Sequence, residues 1–140
     1  MSELRFLLDT NVLSEPARPI PDPLVLQRIG RHRARIATAA PAFHELCFGV
    51  LLLPSGARRT KLELYLRRVE AWVTVLPYDD QAARWHASER ARLRAAGKTP
   101  AFVDGQIAAI AAANGLTLVT ANTGDFADFA GLRIADWRSR

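Results

Sequence analysis

The chain has 140 residues, of which 49% are hydrophobic and 24% are charged, a composition typical of one globular domain with a substantial core. Its apolar runs are far shorter than the ~20 residues that span a bilayer, and its first residues lack the basic-then-apolar layout of a secretory signal. We therefore expect a single domain over residues 1–140, no membrane segment and a cytoplasmic location. The only cysteine, Cys47, excludes an internal disulfide and is expected to be a small core hydrophobe.

The formal net charge is +5, and most of the cations are arginines, whose planar fork suits phosphate oxygens. This balance favours a polyanionic partner, although solvated helix faces would give the same pattern. The basic residues gather in four segments, at 28–35, 58–61, 67–68 and 90–98.

The predicted elements alternate between strand and helix. Strands are assigned to short apolar runs, and helices to apolar residues at i, i+3, i+4 and i+7. In chain order they are a strand at 4–9, a short helix from about 11, a proline-rich loop at 15–23, a helix at 23–33, a strand at 35–38, a helix from 41 to about 53, a helix at 59–72, a strand at 73–76, a helix from 79 or 80 to 97, a helix at 102–114, and strands at 116–120 and 132–135. This order predicts an α/β fold with a mostly parallel sheet sandwiched by helices.

Four acidic residues fall where this fold would gather them. Asp9 ends the first strand, Asp125 follows the strand at 116–120, and Glu45 and Asp104 are expected in the first turns of two helices. Ligand sites in open α/β sheets lie outside the carboxyl ends of the strands. Each acid alone could cap a helix or turn, but together they predict one metal site assembled by folding.

Four motifs in this order resemble a known family. They are LDTNVL at 8–13, His44-Glu45-Leu46 with Gly49 shortly after, DGQIAA at 104–109, and LVTAN at 118–122 leading to Asp125 and Phe126. The chain resembles PIN-domain ribonucleases, and in particular the VapC toxins of bacterial toxin–antitoxin pairs, of the FitB-like kind. The resemblance covers nearly the whole chain.

The resemblance implies a PIN-like three-layer α/β/α sandwich with a five-stranded, mostly parallel sheet. It also implies a Mg²⁺- or Mn²⁺-dependent endoribonuclease that hydrolyses RNA phosphodiester bonds as the toxin of a type II pair. The implied partners are RNA, a second copy of the chain in a homodimer, and a VapB-like antitoxin that covers the active site in a hetero-oligomer. The implied acidic cluster is Asp9, Glu45, Asp104 and Asp125, with supporting polar groups at Thr10, Asn11, Thr120 and Asn122. The choice between Asp125 and Asp128 as the fourth acid stays open.

The chemistry of RNA cleavage assigns roles to these acids. A catalyst must neutralise the phosphodiester charge and generate a nucleophile, and a divalent metal held by carboxylates does both. We expect Asp9 and Asp104 to hold the main metal, Asp125 to share it or a second ion, and Glu45 to orient or deprotonate the attacking water.

The alternative is a catalytically inactive PIN-like module that binds RNA or a protein. The presence of all four acids favours the enzyme. Two apolar segments, the helix at 59–72 and the run at 48–53, would supply surface for dimerisation. The loops at 15–24 and 54–61 are the expected determinants of RNA choice.

Overall fold

A computed structural model describes residues 3–138, so the predicted domain limits at residues 1 and 140 lie outside the described range. Its centre is a five-stranded sheet in the order β3-β2-β1-β4-β5, with every neighbouring pair parallel. The strands are β1 (Phe6–Leu8), β2 (Ile36–Ala39), β3 (Thr74–Leu76), β4 (Thr117–Val119) and β5 (Ile134–Ala135). The predicted five-stranded α/β architecture is therefore confirmed, and the sheet is parallel throughout.

Seven helices surround the sheet within residues 3–138. Single turns of 3₁₀ helix at Glu15–Ala17 and Arg33–Arg35 complete the regular structure of this range. No helix among the described residues combines the length and the apolar character needed to cross a membrane. The helices are α1 (Thr10–Leu13), α2 (Pro23–His32), α3 (Ala40–Leu51), α4 (Ala57–Trp72), α5 (Asp80–Ala95), α6 (Phe102–Ala113) and α7 (Thr123–Phe126).

Two apolar clusters, one on each face of the sheet, make this a three-layer sandwich. Successive strand residues point to opposite faces, so Leu7 packs with α5, α6 and α7, whereas Leu8 packs with α1, α2 and α4. Both leucines are fully buried, as expected for a strand covered by helices on both sides. The sheet is therefore closed on its faces, and its carboxyl edge is where polar side chains gather.

The structure corrects the expectation for Cys47, which is only partly buried. In α3 the buried residues are Ala42, Leu46 and Val50, a spacing of four that defines a narrow inward stripe. Residue 47 lies about 100° around the helix from Leu46, so its side chain turns away from the core.

Two other local expectations are also corrected. The proline-rich segment at 15–23 begins with a 3₁₀ turn, because Pro16 occupies a first-turn position where its missing N–H costs nothing. Helix α3 begins at Ala40, and Glu45, its sixth residue, lies in the second turn of the helix and not in the first.

Candidate active site

Asp9 and Thr120 lie side by side at the carboxyl edge of the sheet. Strands β1 and β4 are neighbours in register, with Leu8 opposite Val119, so the residue after each strand reaches the same level. The Asp9 amide donates to the carbonyl of Val119 at 2.9 Å, which continues the strand pairing one residue further. The two polar residues are therefore positioned by backbone pairing.

The Asp9 carboxylate is fixed by two donors. Its Oδ1 accepts from the Thr10 amide at 2.8 Å and so caps α1, while its Oδ2 accepts from the Thr120 hydroxyl at 2.9 Å. Asp9 is 7% exposed and Thr120 is fully buried. The Thr120 hydroxyl also accepts from the Asn122 amide at 3.0 Å, which directs its proton toward Asp9.

The other predicted supporting groups connect the elements around Asp9. The Thr10 hydroxyl donates to the carbonyl of Ala42 at 3.3 Å and joins α1 to α3. The Asn11 Oδ1 accepts from the Ala121 amide at 3.2 Å and joins α1 to the segment after β4. Asn122 precedes α7 but forms no side-chain cap with it, so its known contribution is the backbone N–H given to Thr120.

Asp104 lies in the first turn of α6, where the backbone is held by close packing against α5. A Cβ placed on the next residue, Gly105, would lie 2.1 Å from His86 Nε2, so the imidazole rests directly on the glycine backbone. His86 is buried, and its Nδ1 lies 2.8 Å from the Tyr78 hydroxyl. The glycine of the DGQIAA motif therefore allows α5 and α6 to approach closely beside Asp104.

Electrostatic repulsion links three of the four predicted acids. Burial raises the pKa of Asp9, and the charge of Asp125 raises it further, against the lowering effect of the hydrogen bonds from Thr10 and Thr120. Burial also raises the pKa of Asp104, with smaller contributions from Asp125 and Asp9. Carboxylates that repel one another in this way favour a proton or a cation between them.

Glu45 occupies a different position. It is exposed, contributes to neither pKa shift, and lines a pocket of about 310 Å³ between α1, α3 and α4. Thr10, the residue after Asp9, lines the same pocket, but Asp9, Asp104 and Asp125 do not.

The two aspartates near α7 have distinct surroundings. Both are exposed, but the Oδ1 of Asp128 accepts from Lys98 Nζ at 3.0 Å. Asp125 instead raises the pKa of both Asp9 and Asp104. This contrast supports Asp125 as the fourth acid.

The donor set suits a hard divalent cation. Carboxylate oxygens are the ligands that Mg²⁺ and Mn²⁺ prefer. Within residues 3–138, however, no three His, Cys, Asp or Glu side chains are arranged to hold a metal ion by themselves. A metal would therefore be held by one or two carboxylates directly and by the others through water, which is common for Mg²⁺.

Two residues near the site were missed by the sequence analysis. The buried Thr38 hydroxyl donates to the carbonyl of Leu8 at 2.8 Å, one residue before Asp9. The Tyr65 hydroxyl of α4 donates to the carbonyl of Leu13 at 2.5 Å and fixes the end of α1. Neither could be recognised from sequence, because threonine in a strand and tyrosine on an apolar helix stripe are ordinary packing residues.

Comparison with known proteins identifies the family. The PIN domain model matches residues 6–132. The chain is 37% identical over 135 residues to VapC ribonuclease Y4jK of Sinorhizobium fredii, covering 91% of this chain and 94% of that protein. The FitAB structure bound to an IR36 DNA fragment matches with a TM-score of 0.84 and 31% identity, covering 96% of each chain.

A second solved structure, of a member of the VapBC family of toxin–antitoxin systems from Mycobacterium tuberculosis, matches with a TM-score of 0.69 and 31% identity over 94% of this chain and 98% of that one. Sequence and structure therefore agree with the motifs over nearly the whole described range. The chain belongs to the PIN-domain family, among its VapC-type ribonuclease toxins.

Proposed function

We propose that this protein is an endoribonuclease that requires Mg²⁺ or Mn²⁺ and acts as the toxin of a type II toxin–antitoxin pair. It is proposed to act in the cytoplasm as a single PIN domain over residues 1–140. The observation that supports this most directly is that Asp9, Asp104 and Asp125 gather at the carboxyl edge of the sheet, where Asp125 adds to the effect of burial in raising the pKa of the other two. PIN-domain nucleases in general depend on a divalent metal, and these carboxylates are the donors such an ion needs.

The three aspartates are proposed to hold the metal. Asp9 is the best oriented, because Thr10 and Thr120 each donate to one of its oxygens and leave the remaining lone pairs free. Asp104 would bind from the start of α6, and Asp125 would share the ion or hold a second one. A bound Mg²⁺ or Mn²⁺ would supply charge neutralisation at the phosphate and a more acidic water molecule.

Glu45 is proposed to orient or deprotonate the water that attacks phosphorus. It is exposed beside Thr10, so water reaches it without displacing packed side chains. In this role Glu45 takes a proton from water, and the ribose oxygen released from phosphorus takes up another from solvent. The basic surface, with a net charge of +5, would hold the RNA backbone around the acids.

The pocket beside Glu45 is the proposed docking site for a VapB-like antitoxin. Its lining is mostly apolar and includes Leu46, Val50 and Leu62, with Arg18 and Arg58 also contributing. A second pocket of about 250 Å³ shares Leu62 and Tyr65 with it, so the two form one groove along α4. A segment bound in this groove would reach Glu45 and Thr10 and would block access to the acids.

Homodimerisation is proposed to use apolar residues at the end of α3 that do not line the groove. The exposed fractions of three large apolar side chains there are 49% for Phe48, 61% for Leu51 and 68% for Leu52. Such a concentration of exposed apolar residues is typical of an interface. Leu51→Glu should convert a dimer to a monomer in light scattering; unchanged mass would exclude this face.

The enzymatic proposal is tested by incubating purified protein with total cellular RNA in Mg²⁺ or Mn²⁺. Cleavage should disappear with chelator and should fall by at least about 100-fold in Asp9→Asn, since aligned charge stabilisation contributes on that scale. Absence of cleavage by folded protein in both metals would reject the enzyme in favour of a binding module.

Asp128→Asn is the matched control for the fourth acid. Asp125→Asn should abolish cleavage, whereas Asp128→Asn should retain it, because Asp128 is paired with Lys98 and does not contribute to the raised pKa of Asp9 or Asp104. The reverse result would assign the fourth carboxylate to Asp128.

A further inference from the structure

A basic pocket with an aromatic wall shares no lining residue with the groove. It has a volume of about 340 Å³ and is formed by the last turns of α5, the segment 96–101 and the first residue of α6. Its lining residues are Arg90, Arg94, Lys98, Thr99, Pro100 and Phe102. None of the predicted acids lines it.

Phe102 presents a fixed but accessible ring. Its side chain is 50% exposed, and its ring centroid lies 4.9 Å from that of the buried His86. The Arg90 guanidinium carbon lies 5.1 Å from the centroid of the Phe102 ring. Phenylalanine and arginine together offer two planar groups on which a nucleic-acid base can stack.

The cations of the pocket differ in their availability. Lys98 is already paired with Asp128, at 3.0 Å. Arg90 and Arg94 form no ion pair within residues 3–138. They are four residues apart on α5 and therefore lie on one face, an arrangement that weakens a helix by like-charge repulsion. An anion in the pocket would relieve this repulsion.

The pocket and the proposed catalytic centre share the first turn of α6. Phe102 and Asp104 are two residues apart in this turn, so their side chains leave opposite sides of the same helix end. An RNA strand that passes over this helix end could put a phosphate at Asp104 and a flanking nucleotide against Phe102.

We propose that this pocket binds an unpaired nucleotide of the RNA substrate, next to the phosphodiester that is cleaved. The base stacks on Phe102 and Arg90, and Arg94 contacts the flanking phosphate. A base in a duplex is already stacked on both sides, so the pocket selects single-stranded RNA. The inference rests on the proposed ribonuclease function and adds to it a site for substrate selection.

The test uses full-length protein carrying Asp9→Asn, so that RNA is not cut while binding is measured. The probes are a short single-stranded RNA of mixed sequence and the same RNA in a duplex, each followed by fluorescence anisotropy. Phe102→Leu should weaken single-strand binding by about 5-fold or more and leave duplex binding unchanged, as expected for the loss of one stacked base. Arg94→Gln should weaken binding and reduce its dependence on salt concentration.

Arg31→Gln is the matched control, because Arg31 is exposed on α2, away from the pocket. If Phe102→Leu and Arg94→Gln bind single-stranded RNA as tightly as Arg31→Gln, the pocket is not an RNA site. Thermal melting of each variant separates loss of binding from loss of folding. If Phe102→Leu is unstable, Arg94→Gln still tests the pocket, because Arg94 is exposed and its replacement should not affect folding.

Cleavage by the protein with Asp9 intact distinguishes the two proposals. If it cuts RNA in Mg²⁺ or Mn²⁺ while the pocket variants bind normally, only the pocket proposal fails. If it cuts no RNA but the pocket variants still lose single-strand binding, the ribonuclease fails and the binding site stands.

Discussion

Replacement of Gly105 by alanine should destabilise the protein, although alanine is the better helix former. The added Cβ would lie 2.1 Å from His86 Nε2, 2.7 Å from Cδ2 and 3.0 Å from Cε1. The imidazole has little freedom to withdraw, because Nδ1 lies 2.8 Å from the Tyr78 hydroxyl and Phe102 packs on the ring. To make room for the added Cβ, α6 must therefore move away from α5, or His86 must leave Tyr78 and Phe102.

The expected magnitude follows from three contributions. Inserting a methyl group into a tightly packed site costs about 1–3 kcal/mol. Loss of the Tyr78–His86 hydrogen bond costs about 1 kcal/mol more, and the higher helix propensity of alanine returns about 1 kcal/mol. We expect Gly105→Ala to lower the free energy of unfolding by about 1–3 kcal/mol. Cleavage should fall as well, because Asp104 is the preceding residue.

Urea unfolding in chelator measures this change without a contribution from metal binding. The matched control is Gly30→Ala in α2, where a Cβ would meet no atom within 4 Å and the residue is exposed. Gly30→Ala should raise the free energy of unfolding by about 0.5–1 kcal/mol. In a His86→Ala background, Gly105→Ala should become neutral or stabilising. Equal stabilisation by both glycine substitutions in the unmodified chain would refute the close-packing argument.

Three further predictions concern charge and hydrogen bonding. In chelator at pH 7, Asp104→Asn should raise the melting temperature, because the raised pKa of Asp104 makes its charged form costly in the folded protein. This gain should vanish as the pH falls toward 3.8, the ordinary pKa of the group. An unchanged melting temperature at pH 7 would contradict the prediction. Hydrogen bonds from Arg92 lower the pKa of Glu89, so ionised Glu89 stabilises the fold at pH above 4.5, its ordinary pKa, and this stabilisation is lost as the pH falls. In Glu89→Gln, the free energy of unfolding in urea should therefore fall less steeply with decreasing pH. The same pH dependence in both proteins would contradict this. Tyr65→Phe should lower the free energy of unfolding by about 1–3 kcal/mol, because the carbonyl of Leu13 loses its donor, whereas a change near zero would mean that water replaces the hydroxyl.

The sheet and the positions of three of the acids in it could be predicted, because both follow from local rules. Short apolar runs bounded by polar residues predicted the strands, and the position of a residue just after a strand predicted its place at the carboxyl edge. Asp9 obeys this rule directly, whereas Asp125 lies in α7, which follows β4 after a short loop. Asp104 obeys the related rule that a helix start lies at the same edge. The electrostatic coupling of these three residues is the outcome expected from their positions.

The surroundings of Glu45 and Cys47 could not be predicted, because they depend on the start and rotation of α3. Pro41 is compatible with either of the first two helical positions, so sequence left the start of α3 uncertain by one residue. Successive residues lie about 100° apart around a helix, so the rotation of α3 decides which side chains meet the sheet. The start of α3 does not explain the error at Glu45, which is the fifth residue from Pro41 and the sixth from Ala40 and lies in the second turn with either start.

Contacts between helices were also beyond sequence reasoning. His86 had no visible partner in the sequence, since Tyr78 precedes α5 and Gly105 belongs to α6. The glycine of the DGQIAA motif gave no indication of what approaches it. How closely two residues of different helices approach is set by the way the helices pack, whereas hydrophobic periodicity predicts only which face each helix buries.

The polar network around Asp9 explains how a site can hold mutually repelling carboxylates and remain rigid. The buried Thr120 hydroxyl receives a hydrogen bond from Asn122 and gives one to Asp9, and no buried side-chain polar atom in residues 3–138 lacks a partner. Because the hydrogen bonding of Asp9 is satisfied, the remaining free-energy cost of its negative charge is electrostatic. This cost comes from burial of the carboxylate and from the charge of Asp125. A cation would relieve a cost of that kind without moving the Asp9 side chain, which is the orientation that the proposed metal site requires.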